Sequence, residues 1–574
     1  MAYVSRAKKL AKGLDPNGKR DKDRPKDLRF WTHEEPHKAI FEDGRRIARL
    51  TRWQRMQDLY FACLYDDTEL ASTVAGSGAI SSWEPQALSS NIVKRNIDTY
   101  VAKISKGRPV PMGLTTGGNY SQQRRAKALS KLFEGVLDNI NFWETRESRI
   151  RDSAIFGSGF AWNYRVGRKL VHDRLFPWEV ETDPRESMYG KPRTIRIKRY
   201  IDRLELMDRY PGFADEIRDA ESKTDEDKFE IGWDETCDLV LVRGVWHLRS
   251  SETAKDGRWC LAVSNATLEN EPYERDYPPL SKLDFLTSVM GYRGQGMVKP
   301  LVGVQYEVNS IGMRLQEAAY MTGTYAWLPP GVGVETDLID NGTLSIIRSQ
   351  VKPEFMQPAS WHPQIFDYYL RLRGEFPSQE SRISEMSTRG ETPAGLKSGR
   401  ALRTHHDIEA EGFVPNGRAD ERDVINTCWQ AFDLLEEIYS DPGESNEKKG
   451  ETYTVKVEQR SHGRNELQEL SYKDVRLDRE QFTLRVFPTS FLRGTPEDQL
   501  DTVRELIDSG FLSQDEALSL LDFPDLQRVM NLRGAARRNI ERLLEKLRDA
   551  EGTEALNKAY EYPEPAWNLE RSEE

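Results

Sequence analysis

Apolar positions along this chain change their spacing several times, and each change marks an element. From Glu42 to Tyr65 they fall at helical intervals, with Ile47, Leu50, Trp53, Leu59 and Cys63 close to one face. A Gly-, Ser- and Ala-rich loop follows at residues 71–82. Asn91 to Ser105 predicts a second helix on Ile92, Ile97, Val101 and Ile104, stopped by Gly107-Arg108-Pro109-Val110-Pro111. Residues 121–141 predict a third on Leu129, Leu132, Phe133, Val136 and Ile140, and a piece around Arg149–Phe156 ends at Gly157-Ser158-Gly159. The period then becomes two. Phe160–Val166 and Lys169–Phe176 predict a hairpin around Gly167. Thr194–Ile201 alternates and predicts a strand with one wet face. Asp202–Tyr210 predicts a short helix closed by Pro211-Gly212, and Asp238–Leu248 and Arg258–Val263 predict partner strands. Residues 1–300 thus read as a mixed α+β unit.

The most regular helix is predicted over Pro300–Met321. Leu301, Val304, Val308, Ile311, Leu315 and Ala318 form one narrow apolar stripe, suited to packing against partner helices. The lead-in from Gly291 to Met297 reads as a flexible loop. Residues 326–360 hold Pro, Gly and short β-like pieces such as Leu344–Arg348. A second helix is predicted over His362–Ile383, with Ile365, Phe366, Tyr369 and Leu372 on one side and a kink or break at Gly374 and Pro377. A polar Gly/Pro loop spans residues 384–398. A long helix over Gly399–Ser440 follows, interrupted at Pro415-Asn416-Gly417. Residues 452–458 and 481–487 alternate as strands. Thr495-Pro496-Glu497-Asp498 opens another helix, with Thr as cap, Pro at the first position and acids in the first turn. Further helices begin at Ser513 and cover Asn531–Asp549.

A length of 574 residues exceeds one ordinary core and suggests roughly three to five packing units. Mean hydropathy is −0.71, and no apolar run approaches the ~18 residues of a membrane span. The first residues are charged and lack the apolar core of a secretion signal. Net charge is −11, which argues against a protein whose whole surface grips nucleic acid but not against one that DNA merely passes. Charge is uneven. Residues 1–30 carry ten Lys/Arg and four Asp, and residues 551–574 carry two Lys/Arg and seven Glu. These ends read as interaction arms or solvated tails. Cys63, Cys237, Cys260 and Cys428 are widely spaced, which disfavours a disulfide framework or zinc site and suits a reducing compartment.

Catalytic signatures are scarce. There is no GxSxG, HExxH or strand-linked GxGxxG. Gly390–Ser398 approaches a phosphate loop, but Leu396 stands where Lys should follow Gly395, so a loop between helices is the better reading. His405 and His406 are adjacent and point to different sides of a helix, so they do not chelate one ion. Asp202, Glu205 and Asp208 are spaced by three and could crowd one face as in a metal-dependent nuclease, or answer the helix dipole. Arg371, Arg373, Arg382, Arg389 and Lys397 flank the polar loop, where they are either solvated or guide phosphates.

The order of these pieces resembles the portal proteins of tailed bacteriophages. The similarity lies in Asn91–Ile104 with Gly107-Arg108-Pro109, in Arg151–Gly159, and in Leu175–Arg185. It continues from Gly190–Arg193 to Val304–Asn309, through Thr388–Leu402, to Leu492–Asp498. It covers about residues 85–530. The resemblance implies an α+β portal-type fold with an α/β wing, two-helix stem, small clip, tunnel loop and helical crown. It places a basic arm at 1–29 and wing at 30–300, stem helices at 301–325 and 361–384, and the clip at 326–360. The tunnel loop falls at 385–398 and its following helix at 399–450. Returning wing strands fall at 451–494, the crown at 495–552 and an acidic tail at 553–574.

Function follows from the same resemblance. Portal proteins form a ring, usually of twelve copies, at one capsid vertex, without enzymatic activity or cofactor. Double-stranded DNA passes without sequence recognition, driven in by the terminase large subunit. The head–tail adaptor and tail dock on the ring, and major capsid and scaffolding proteins surround it. The implied location is the virion, after assembly in a bacterial cytoplasm, with no membrane contact. The residues implied are Met386, Ser387, Thr388, Arg389, Gly390, Glu391, Thr392, Pro393, Ala394, Gly395, Leu396 and Lys397 in the tunnel loop. Arg371, Arg373 and Arg382 are candidate basic channel residues. Leu301, Val304, Val308, Ile311, Leu315, Ile365, Phe366 and Tyr369 would pack the stem. Trp327, Leu328, Pro329, Pro330, Gly331, Val332 and Gly333 would form the clip contact. Two stem helices of this length would span roughly 33–38 Å, and an acidic total suits a bore that lets DNA slide. The alternatives are another non-catalytic head–tail adaptor, which is usually shorter, or a metal-dependent nuclease or packaging enzyme.

Overall fold

The computed structural model describes residues 31, 35–66, 90–115, 120–221, 238–251, 254–321, 325–327, 354–356, 363–389, 409, 411–440, 453–461, 464–476 and 482–486. The readings made on the arm, the 71–82 loop, Leu344–Arg348, residues 390–408 and everything from 487 onward lie outside them, as do Cys237 and residues 328–333. In chain order come α1 (Pro36–Asp66), α2 (Ile92–Ser105), β1 (Pro111–Thr115), α3 (Tyr120–Asn139) and α4 (Phe142–Phe156). Next are β2 (Ser158–Val166), β3 (Lys169–Leu175), β4 (Val180–Thr182), β5 (Thr194–Asp202), α5 (Arg203–Arg209) and α6 (Ala214–Arg218). Then come β6 (Leu239–His247), β7 (Arg258–Ala262), β8 (Thr267–Pro272), β9 (Leu280–Asp284), α7 (Val298–Met321), β10 (Tyr325–Trp327) and β11 (Glu354–Met356). Last are α8 (Pro363–Arg373), α9 (Glu375–Ser381), α10 (Glu385–Arg389), α11 (Val414–Ser440), β12 (Thr454–Ser461), β13 (Arg464–Ser471), α12 (Tyr472–Val475) and β14 (Phe482–Val486). The chain is α+β, and among the described residues no helix is long and apolar enough to cross a membrane.

Two compact units emerge. The first comprises Met1–Ser105, Glu144–Tyr164 and His172–Asp423, the second Lys106–Trp143, Arg165–Val171 and Val424–Glu574. The first unit holds an antiparallel sheet in the order β4-β5-β6-β7-β8. Both faces are covered. Val240, Val242 and Leu261 pack with Leu206 and Ile217, while Leu241, Val245 and Cys260 pack with Ile40 and Phe41 of α1. That explains why β6 is buried along nearly its whole length.

Three expectations need correction in this unit. The wet face assigned to Thr194–Ile201 is dry. Arg196 and Lys198 are buried, and Arg196 reaches Asp43 of α1 at 3.2 Å. The helix laid over the sheet brings Asp43 to meet Arg196 of the strand. The face expected of α1 is only partly the buried one: Ile47 is buried with Ile40, Phe41 and Ala48, but the face turns toward charged partners further along. Leu50 and Trp53 are exposed at 61% and 70%, whereas Arg55 and Asp58 are buried. Arg55 and Arg243 share Glu181, and the Arg243 guanidinium lies so close over Gly44 that a Cβ there would sit 1.8 Å from its nitrogen.

Residues 291–297, read as a flexible loop, form the third case, because they are tightly held. Gly294 and Gly157 stand back to back, and a Cβ on Gly157 would meet the Gly294 carbonyl at 2.2 Å. Arg293 pairs with Asp58 at 2.5 Å and donates to the Pro177 carbonyl at 2.6 Å, and Met297 N–H donates to Ala154 at 2.7 Å. The hairpin at Gly167 is present, with that glycine in the left-handed region at φ 58°.

The second unit packs α3 (Leu129, Leu132, Phe133, Val136) against Val424, Cys428, Phe432 and Leu435 of α11. Val455 and Val457 of β12, Tyr472, Phe482 and Leu484 complete this core. β1 pairs antiparallel with β14, Pro111 opposite Val486 and Thr115 opposite Phe482. One strand here has no counterpart in the sequence reading, and one break is displaced. The polar run Arg464–Ser471 carries no clear alternation, yet it pairs along its length with β12. The interruption expected at Pro415-Asn416-Gly417 falls just before it, at the turn Gly412–Phe413, and Pro415 lies in the first turn of α11, where its missing N–H costs nothing.

Candidate functional site

Within the first unit, α2, α7 and α8 pack together through the predicted stripe. Leu301, Val308 and Ile311 are buried and Val304 and Leu315 partly so. Val308 and Ile311 meet Ile92 of α2 and Tyr369 and Leu372 of α8. The stripe on α8 is only half used, because Ile365 and Phe366 are exposed at 37% and 54%, as are Tyr368 and Leu370 beside them. Between α7 and α8 in sequence, β10 and β11 pair antiparallel, Tyr325 opposite Met356 and Trp327 opposite Glu354. The predicted break falls at Gly374, after which α9 begins, and Arg382 ends α9 in the left-handed region at φ 60°.

A buried polar core fixes this bundle. Gln305 of α7 accepts from the Ile92 N–H at 2.9 Å, so one helix caps the start of another. Its amide donates to the Ser90 carbonyl at 2.8 Å and to Asn309 at 3.1 Å. Asn96 donates to the Ile92 carbonyl at 2.9 Å and accepts from Ser381 at 3.2 Å. Arg95 donates to the Arg373 carbonyl at 2.8 Å, where the last carbonyls of α8 lack helical partners.

The chain then enters the predicted tunnel loop, but its first part is ordered differently. Glu385–Arg389, including Met386, Ser387, Thr388 and Arg389, is a short helix, with Ser384 Oγ accepting from the Ser387 N–H at 3.2 Å. A capping serine directly before the segment is the local reason. Glu409 clasps this helix from the far side of residues 390–408. Its carboxylate accepts from Ser384 N–H at 2.8 Å, Ser387 Oγ at 2.7 Å and Ser384 Oγ at 3.2 Å, and pairs with Lys103 of α2 at 2.7 Å. Burial opposes charge on Glu409, but Lys103, Ser387 and Ser384 outweigh it and hold its pKa below the usual carboxylate value. The basic candidates do not converge. Arg373 is half-buried with its guanidinium 5.9 Å from the Tyr369 ring, while Arg371 and Arg382 are exposed. Gly390, Glu391, Thr392, Pro393, Ala394, Gly395, Leu396 and Lys397 lie outside the described residues, as do Leu328 to Gly333; the backbone of Trp327 is in β10.

Beneath the clasp lie two buried ion pairs. Arg146 is bidentate to Asp420, both contacts 2.7 Å, and also donates to the Ile104 carbonyl at 3.3 Å. Arg149 meets Asp423 at 2.8 Å and Ser281 at 2.9 Å, both ions being fully buried. Tyr100 packs against Phe285 and Phe413 nearby.

The acids weighed for metal chemistry have local roles. Asp202 caps α5 by accepting from the Leu204 and Glu205 N–H groups, and Glu205 pairs with Arg209 at 3.1 Å. Among the described residues no group of three or more His, Cys, Asp and Glu could hold a metal ion. A cleft of about 260 Å³ opens between α1 and residues 288–296, with Gln54, Gln57, Phe61, Tyr292 and Lys299 in its walls and the Asp58–Arg293 pair at its edge.

Sequence reasoning missed Lys103, Gln305, Asn309, Ser384 and Glu409. Gln305 and Asn309 carried a usable signal, since two amides four residues apart directly follow the stripe positions Val304 and Val308. Glu409 carried none. No protein-family model matches the chain, and no curated protein matches it in sequence.

Proposed function

We propose that this chain is the subunit of a portal-type ring, a non-enzymatic conduit for double-stranded DNA at a capsid vertex. The observation that carries the reading is the order helix, strand, strand, helix, anchored segment. α7 and α8 pack side by side, the β10–β11 pair stands between them in sequence, and α8–α9 leads into a segment held by Glu409 and Lys103 at its entrance. That order supports a stem, a clip and a tunnel loop in the sense of the resemblance traced through residues 85–530. The exposed apolar residues Ile365, Phe366, Tyr368 and Leu370 on α8 add to it, because a closed ring would offer them a neighbouring subunit. In this reading Arg371 and Arg382 are free to guide phosphates without reading sequence. The terminase and tail adaptor dock at the β10–β11 end.

The test is negative-stain electron microscopy of the purified protein, classified by rotational symmetry. Rings with a central hole and about twelve-fold symmetry are expected. A chain that remains monomeric at high concentration across salt conditions refutes the reading, and nuclease and ATPase assays with Mg²⁺ or Mn²⁺ then become the next measurement.

A further inference from the structure

Charge along α3 runs in the reverse of the order that a helix favours. Its first twelve residues carry Arg124, Arg125, Lys127 and Lys131 and no acid, while Glu134 and Asp138 stand in its last six. Aligned peptide dipoles favour acids at the start and bases at the end. Four other helices follow that rule at one end or both, whereas α1 and α11 have neither an acid in the first turn nor a base in the last. α4 has Glu144 in its first turn, α2 has Lys103 in its last, α8 ends on Arg371 and Arg373, and α5 begins with Glu205 and ends with Arg209.

Arg124, Lys127 and Lys131 recur at steps of three and four, so they share one face. The opposite face, with Leu129, Leu132, Phe133 and Val136, is buried in the core of the second unit. Arg124, Arg125 and Lys127 are exposed and Lys131 half-buried, and none of the four has an ion-pair partner among the described residues. The first three turns of this face are therefore positive, an arrangement that their own helix disfavours, before Glu134 and Asp138 follow on the same side.

We propose that this face is the docking surface for the acidic segment 551–574 of the same chain. That segment carries seven Glu against two basic residues, a net of −5, with Tyr560, Tyr562 and Trp567 interleaved. Carboxylates match the unpaired cations, and aromatic rings can lie against guanidinium groups. Because the segment is tethered, its local concentration is on the order of millimolar, so a contact too weak to hold a free peptide is still populated. This inference is independent of the conduit reading, since it stands on the charge order of α3.

The experiment uses the full-length protein and a carbodiimide, which joins a carboxylate to an amine only when the two touch. At low salt Lys127 and Lys131 are expected to link to glutamates of 551–574. The yield should fall at least about ten-fold in 0.5 M salt, where the screening length is about 4 Å. A similar fall is expected in R124E/R125E, which leaves both lysines in place. Mixing isotopically heavy and light protein assigns each link to one chain or to two, and links within one chain are required. Links found only between copies overturn the proposal. It also fails if both lysines stay unlinked to 551–574 while other surface lysines react. Protection of the two lysines by a short duplex DNA, with no link to 551–574, would assign the face to nucleic acid instead.

Discussion

In the unit built on α3, the core consists of Leu129, Leu132, Phe133, Val136, Phe432, Leu435, Val455 and Phe482, none of which carries charge. In the other unit, Arg55, Asp58, Arg146, Arg149, Glu181, Arg243, Asp420 and Asp423 are all buried, and among the described residues every buried charged side chain lies there. An apolar core tolerates volume-conserving exchange, because dispersion and burial have no direction. A buried charge network tolerates almost none, because each ion depends on one partner at one distance. The contrast teaches that the unit holding the candidate site is specified by geometry and the other by bulk.

The largest test of that contrast is Arg149→Met. It removes the ion-pair partner of the fully buried Asp423, and should cost about 3–5 kcal/mol in the first unit. Hydrogen exchange along α4 and β9 reads this out, and the double variant R149M/D423L should restore most of the loss. If the single change costs under 1 kcal/mol, the network is not what holds the unit. In the second unit, Leu132→Ala should cost about 2–5 kcal/mol and Leu132→Met less than about 1.5, seen in denaturant titration with a probe near Phe432. Equal losses would show that its core is as exacting as the ion pairs. Next comes Gln305→Met, which strips the cap from the Ile92 N–H and leaves the Ser90 carbonyl short of a donor. About 1–3 kcal/mol should be lost, visible as faster exchange of the Ile92 amide.

The smallest effect depends on pH. His172 is buried beside Arg149, and burial first, then that charge, holds its pKa well below 6.5. The unfolded chain therefore takes up a proton that the folded chain refuses, and stability falls as pH drops below about 6.5. Glu179 opposes this. Burial pushes its pKa up to about 7, so the folded chain holds its proton more tightly. That contribution is present at low pH and is lost as pH rises from about 4.5 to 7. Glu179→Gln should therefore steepen the loss of stability on acidification from pH 7 to 5, and His172→Gln should flatten or reverse it. Thermal melts across that range decide, and an unchanged slope in both variants would remove these two groups from the account.

Much of the framework was legible from periodicity. The stripes on α2, α3 and α7 point where the sequence says they do, because apolar burial repeats with the helix. What was not legible shares one cause. Leu50 and Trp53 look like core and are exposed, while Arg55 and Asp58 look like surface and are buried, because their partners Glu181 and Arg293 lie more than a hundred residues away. The same holds for Arg196 with Asp43. Residues 291–297 look loose because they are glycine-rich, yet the glycines serve close approach to Gly157. At the candidate site the apolar contacts of Val308 and Ile311 were readable. The clasp of Glu409 with Lys103, Ser384 and Ser387 was not, since no local pattern marks a lone acid whose partners come from two other segments.

The pairing of β1 with β14 has a consequence in time. Thr115 must wait for Phe482 and Pro111 for Val486, 367 and 375 positions later in the chain. At ribosomal rates of about 5–20 residues per second, the first strand spends roughly 20–75 s as an unpaired edge after it is made. The remainder of the first unit, Glu144–Tyr164 and His172–Asp423, is synthesised within that interval. The second unit, begun before much of the first is made, is therefore completed after it. During that wait its open edge is available for mispairing.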